Sequence, residues 1–366
     1  MESVLERNER LGTDRKIADF RVKQQMDYAF KIKYAETRAW EFFNHADIAG
    51  NCYVAVGGLD SITLLLFLRE IGIRVPAVSV SILEDRSIQE IHRQLGVQTL
   101  KPLKSKVQVI REFGWPVLSK EIAGKISLLQ NPSEKNRTVR HAIITGETGA
   151  YGGYRKGTRM KLSQKWLDKF GGYENAAEGT EYGIPDFRVS DKCCYYLKEK
   201  PCDDYARQSG RFPYMGLMAS EGGRRQKALM MHGCNYISPG TKRSCPFAIF
   251  SRQDLLQLAL DLRVPVPSIY GEIVRDVDGM LRTTGAQRTG CSMCGFGVHL
   301  EKRPHRFDLL WKQNPKEWNF WMTHVMQTES GDWYGWGHVL DYIGVEWRFP
   351  EAAFAPEQQR LDEWDL

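Results

Sequence analysis

Between residues 52 and 102 short apolar runs alternate with helical ones, and this constrains the fold of the chain more than any other feature. CYVAV is an apolar strand, residues 60–71 (DSITLLLFLREI) form a buried helix, and VPAVSV is a second strand. Residues 86–95 are a second helix and VQTLKP a third strand. Strands and helices alternating across short turns predict an α/β fold, a parallel sheet flanked by helices, with ligands at the carboxyl ends of the strands.

The first of these turns is YVAVGGLDS, residues 53–61. Two glycines after a buried strand let backbone N–H groups approach an anion closely, and a helix starting at Asp60 adds the positive end of its dipole. The stretch is not a Walker loop, because the G-x-x-x-x-G-K-S/T pattern is absent. A purely steric role for the glycines, close packing of strand on helix, explains the same residues.

The other regions read differently. Residues 14–45 carry Ile17, Phe20, Tyr28, Ile32, Ala35 and Trp40 among charges, the pattern of an amphipathic helical lead-in. From 130 to 187 the periodicity fades into a stretch rich in Gly and Lys, expected to be a long insertion with little regular structure. The pattern resumes with a strand at FPYMGLMAS and a helix over 249–262 whose N-cap is Ser251. The last part is helical and holds Trp311, Trp318, Trp321, Trp333 and Trp336, expected to pack against the sheet. The expected organisation is a helical extension over 1–50, a main domain over 51–300 with the insertion near 130–187, and a Trp-rich helical region over 301–366.

The chain has 366 residues and a net charge of +6. Residues 101–165 contain fourteen Lys and Arg against four acids, a local balance of +10 that suits a polyanion such as a nucleic acid, although a solvated basic surface fits it too. No run of eighteen apolar residues and no apolar leader occur, so neither a membrane partner nor secretion is expected, and the compartment is read as cytoplasmic.

Eight cysteines in such a compartment argue for metal or redox chemistry over a disulfide framework. Cys193-Cys194 is followed, after 96 intervening residues, by Cys291-x-x-Cys294, which gives four thiols in two pairs. Four thiolates suit a structural zinc or a 4Fe-4S cluster. Adjacent cysteines depart from the usual C-x2–4-C spacing of zinc sites and point toward iron and sulfur. The bland alternative is two buried small residues and a turn. Cys52, Cys202, Cys234 and Cys245 have no partner at ligand spacing.

Several segments together resemble a known family. The turn matches the S-G-G-x-D-S loop of the PP-loop adenine nucleotide α-hydrolases at Gly57, Gly58, Asp60 and Ser61, with Val56 in place of the first serine. SDKCCYYLKEKP and QRTGCSMCGFGVHLEK resemble the cysteine segments of the cluster-bearing branch of the phosphoadenosine phosphosulfate (PAPS) reductase family. MGLMASEGGRRQ, SCPFAIFSRQDLLQLAL, VPVPSIYG and GWPVLSKE follow in keeping with it.

The resemblance implies binding of ATP or a PAPS-like adenine nucleotide by Gly57, Gly58, Asp60, Ser61, Lys120, Glu221 and Arg225. It implies metal ligation by Cys193, Cys194, Cys291 and Cys294, and Asp60 and Arg225 as catalytic groups, Asp60 toward Mg2+ and Arg225 toward phosphate or sulfate. Reductases of the family use a cysteine near the C-terminus as nucleophile, and no cysteine follows Cys294. The expected chemistry is therefore cleavage of ATP at its α–β bond to adenylate an acceptor for sulfur transfer, a nucleic acid held by the 101–165 stretch, with a sulfur or electron donor protein as further partner. The alternatives are a sulfonucleotide reductase and a nucleotide-binding module without turnover.

Overall fold

Strand β1 (Cys52–Ala55) stands inside a six-stranded sheet. A computed structural model describes residues 4–147, 160–174, 181–287, 289–291 and 293–349. The other strands are β2 (Ala77–Ser79), β3 (Gln98–Thr99), β4 (Phe212–Met215), β5 (Asn235–Ser238) and β6 (Thr241–Ser244), in the order β3-β2-β1-β4-β6-β5. All neighbours run parallel except β5 and β6, which are antiparallel. Cys52, Tyr53 and Val54 are buried, as expected of a strand covered on both faces. The expected α/β class is the one observed.

The helices of this region start where local chemistry starts them. Leu59–Glu70 follows the glycine turn and buries Leu59, Ile62, Leu64, Leu65, Phe67 and Leu68. Arg86–Gln94 is capped by the Asp85 side chain, which accepts from the Ser87 amide. Arg252–Asp261 has Ser251 as N-cap with Asp254 completing a capping box, so the expected cap is correct and the helix begins later than residue 249. The preceding Phe247, Ile249 and Phe250 lie in the buried core without being helical.

The chain divides into two compact units, residues 1–103 with 197–292, and residues 104–196 with 293–366. These divisions differ from the boundaries at 50 and 300 drawn from sequence pattern. The reason is burial. Phe20, Ala35, Ala39 and Phe42 of the N-terminal helices share one apolar core with the sheet, so 1–50 is part of the first unit. The lead-in is two helices, Val4–Gln25 and Tyr28–Asn44, because Asp27 caps the second by accepting from the Phe30 amide at 2.7 Å.

The second unit has its own core of Trp115, Trp166, Phe170, Phe307, Trp318, Trp321 and Trp336. The tail tryptophans Trp318, Trp321 and Trp336 thus bury in this core, where a place against the sheet was expected. Part of the expected insertion is regular: helices Arg137–Thr145 and Gln164–Phe170 contribute Ile143, Ile144, Trp166, Leu167 and Phe170 to it. Residues 148–159 and 175–180 of that stretch lie outside the described residues.

Candidate functional site

The strand order reverses at β1. The chain runs from β1 outward through β2 to β3, then returns to place β4 on the other side of β1. The carboxyl ends of β1 and β4 therefore flank a topological switch point, where open parallel sheets form a ligand crevice. Residues 56–61 follow β1 and residues 216–225 follow β4, so the fold brings Gly57, Gly58, Asp60 and Ser61 to the same end of adjacent strands as Glu221 and Arg225. Gly216 fits closely against this helix start, since a Cβ there would lie 3.0 Å from the backbone of Asp60 and Ser61.

Each group of the first turn is held by a named partner. The Ser61 hydroxyl accepts from the Gly57 amide at 2.7 Å and donates to the Gly58 carbonyl at 3.0 Å. The buried His92 ring lies 2.8 Å from the Gly57 carbonyl through Nε2 and 2.8 Å from Ser81 Oγ through Nδ1, and burial lowers its pKa. A carbonyl only accepts, so Nε2 carries the proton and Nδ1 accepts from the serine hydroxyl. The Leu59 amide donates to the Tyr270 hydroxyl at 3.1 Å. Asp60 is ion-paired with Arg252, whose other nitrogen donates to the Gln287 carbonyl at 3.3 Å. Val56 buries its side chain in the apolar core of the first unit and its amide donates to the Val78 carbonyl at 2.8 Å.

A second ion pair faces the turn. Glu84, with a side chain only 5% exposed, binds Lys198 at 2.6 Å, and a Cβ on Gly57 would be 3.8 Å from the Glu84 carboxylate. Burial works against the charge of Lys198, but Cys291 and Glu84 outweigh it and raise its pKa. Lys198 lies in a π-helical turn, Tyr195–Glu199, a form frequent at functional sites. After β4, Glu221 is nearly buried and accepts from Arg225 at 2.5 Å, while Arg225 is 54% exposed. Gly222 and Gly223 both have positive φ, +78° and +58°.

Sequence reasoning missed His92, Tyr270, Glu84, Lys198, Arg252 and the second glycine pair. For Lys198 the signal was its place four residues after Cys194, and for Arg252 a cation in the first turn of a helix, where the dipole disfavours it. Lys120 opens helix Lys120–Gln130 of the second unit, whose N-cap is Ser119.

The cysteines fall in both units. In the second, segment 115–118 joins two others: Trp115 bridges Val189 and Leu118 bridges Phe296, with Ser190 donating to the Trp115 carbonyl and Gly297 to that of Leu118. Cys193 and Cys194 follow one of these partners and Cys294 precedes the other, whereas Cys291 belongs to the first unit beside Lys198. Four thiols are a soft donor set whose chemistry fits zinc or an iron–sulfur cluster. Among the described residues no group of three or more His, Cys, Asp and Glu is arranged to hold a metal. Burial pushes the other thiols up, Cys202 to about 11 and Cys52, Cys234 and Cys245 to about 12.

From Lys104 onward the basic 101–165 stretch lies in the second unit and is partly committed to it. Lys104 pairs with Glu112, Lys125 with Glu121, and the buried Lys106 stacks on Trp321. Lys101, Lys135, Arg137, Lys161 and Lys165 are exposed, while Arg155, Lys156 and Arg159 lie outside the described residues. No helix among the described residues is long and apolar enough to cross a membrane.

No protein-family model matches the chain. No curated protein matches it either. Among solved structures it is similar to the crystal structure of phosphoadenylyl-sulfate (PAPS) reductase from Candida auris in its phosphate complex. That likeness is distant, with 10% identity and a TM-score of 0.34 over 67% of this chain and 89% of the other.

Proposed function

We propose that the chain is an adenine-nucleotide-binding enzyme of the PAPS reductase type that cleaves ATP at its α–β bond and adenylates an acceptor for sulfur transfer. The observation that carries this reading is the topological switch point, where a glycine turn follows β1 and a Glu221–Arg225 pair follows β4 at the same end of the sheet. Backbone N–H groups of the turn and the Ser61 hydroxyl take phosphate oxygens, and Arg225 offsets the charge that develops on the transferred group. Asp60 shares its carboxylate between Arg252 and Mg2+. In the reaction an acceptor oxygen bonds to the α-phosphorus as the bond to the β-phosphate breaks and pyrophosphate leaves with the electron pair. The acceptor proton passes to solvent, and a sulfur nucleophile then displaces AMP.

The four cysteines Cys193, Cys194, Cys291 and Cys294 hold a 4Fe-4S cluster, or zinc, in this reading, and the exposed cations of the second unit face a nucleic acid. A reductase acting on PAPS or adenosine phosphosulfate needs an activated thiol. Burial holds Cys52, Cys202, Cys234 and Cys245 well above the range of reactive thiols.

Three measurements on anaerobically purified protein test the proposal: binding of ATP, PAPS and adenosine phosphosulfate, pyrophosphate release with transfer RNA or DNA present, and iron, sulfide and zinc content. Pyrophosphate release that depends on the acceptor is expected. Sulfite release from PAPS with a thiol donor would replace the reading by reduction, and binding without turnover by a binding module. Failure to bind any of the three nucleotides ends it.

A further inference from the structure

Tyr270 closes a 3-10 turn, Ser268–Tyr270, and its side chain is buried in the core of the first unit. Its hydroxyl accepts from the Leu59 amide at 3.1 Å and lies 2.7 Å from Thr289 Oγ1. Leu59 is the first residue of the helix that follows the glycine turn. A Cβ on Gly58 would come within 2.2 Å of that same hydroxyl and 3.0 Å of Thr289 Oγ1. The backbone does not require glycine here, since φ at Gly58 is −76°. What requires it is an oxygen seated directly over the turn.

At a switch point, the first amide of such a helix is the donor that an anionic oxygen takes. Here the protein supplies an oxygen of its own. Burial raises the phenol pKa, so this oxygen is a neutral hydroxyl at neutral pH and carries none of the charge an anion brings. We infer that Tyr270 is a ligand-displaced residue of the nucleotide site: at rest its hydroxyl fills the place over Gly58 and Leu59 that a phosphate or sulfate oxygen takes on binding. Thr289, two residues before Cys291, holds the hydroxyl in that place. This inference rests on the nucleotide reading of the crevice.

The test is calorimetric titration of the full chain with ATP and with inorganic pyrophosphate, in wild type, Tyr270→Phe and Thr289→Val. Removing the hydroxyl leaves the Leu59 amide unsatisfied in the free protein and available to the ligand. Tyr270→Phe is therefore expected to bind both probes about 3- to 10-fold tighter, the worth of one neutral hydrogen bond. Thr289→Val shifts binding the same way by a smaller factor, and it decides the matter if Tyr270→Phe does not fold. Equal or weaker binding by the variants, with wild type binding normally, overturns the inference and leaves the nucleotide reading standing. Binding by Tyr270→Phe alone supports it, and no binding by wild type or either variant removes both.

Discussion

Two glycine pairs follow the adjacent parallel strands β1 and β4, and they are glycine for opposite reasons. Gly58 has an ordinary φ of −76° and no room, since its missing Cβ would strike the Tyr270 hydroxyl. Gly222 and Gly223 have φ of +78° and +58° and open space, with nothing within 4 Å of either added Cβ. Gly58 is set by what sits above the backbone, Gly222 and Gly223 by the backbone itself, while an added Cβ on Gly57 would make only ordinary contacts at 3.8 Å. A dipeptide read in sequence does not distinguish the two, although they predict different responses to the same substitution.

The largest effect is expected at the crowded turn. Gly58→Ala introduces a contact that must shift Tyr270 or the turn, an overpacking cost of about 1–3 kcal/mol read from urea unfolding. Adding Tyr270→Phe removes the 2.2 Å contact and leaves the 3.0 Å one to Thr289, so the double variant is expected to recover most of the loss. Additive losses in that cycle would mean that the turn, and not the hydroxyl, excludes the side chain.

A smaller and uncoupled loss is expected at the open turn. Gly223→Ala asks an L-residue to hold a left-handed conformation, at a cost of about 1–2 kcal/mol. Combining it with Tyr270→Phe gives the sum of the two single effects, because no crowding is involved. Coupling between them would break the contrast between the turns.

The sheet was legible in the sequence because its elements repeat. Apolar runs of strand length separated by helical periods mark β1, β2 and β4 with the helices between them, and Ser251 announces its helix. The second unit was not legible, because its core is assembled from short helices over 104–196 and a tail beyond 293, far apart in sequence and each too short for a clear period. The site divides likewise. Gly57, Gly58, Asp60, Ser61, Glu221 and Arg225 follow one another along motifs, and the fold sets them at one end of the sheet. Tyr270, Glu84, His92 and Arg252 act on the turn from 27 to 212 residues away in the chain, and only tertiary structure brings them there.

The smallest expected effect separates the turns by pH. The ring of His92 supports the Gly57 carbonyl from within the protein, and burial lowers its pKa below the ordinary 6.5 while the Gly57 bond and Glu84 partly offset that. With the folded value depressed, the unfolded chain takes up the proton first as pH falls. The stability tied to the neutral ring is complete above the unfolded value and is lost as pH falls through the lowered folded one. Unfolding free energy measured between about pH 7.5 and about pH 5.5 is expected to drop in wild type and to drop less in His92→Gln, whose amide can still donate to the Gly57 carbonyl. Amide exchange localises the effect: Gly57 and Ser61 lose protection on acidification, while the helix after Gly223 holds its own. Equal loosening at both turns would assign the pH response to the sheet as a whole and remove His92 as the support of the first.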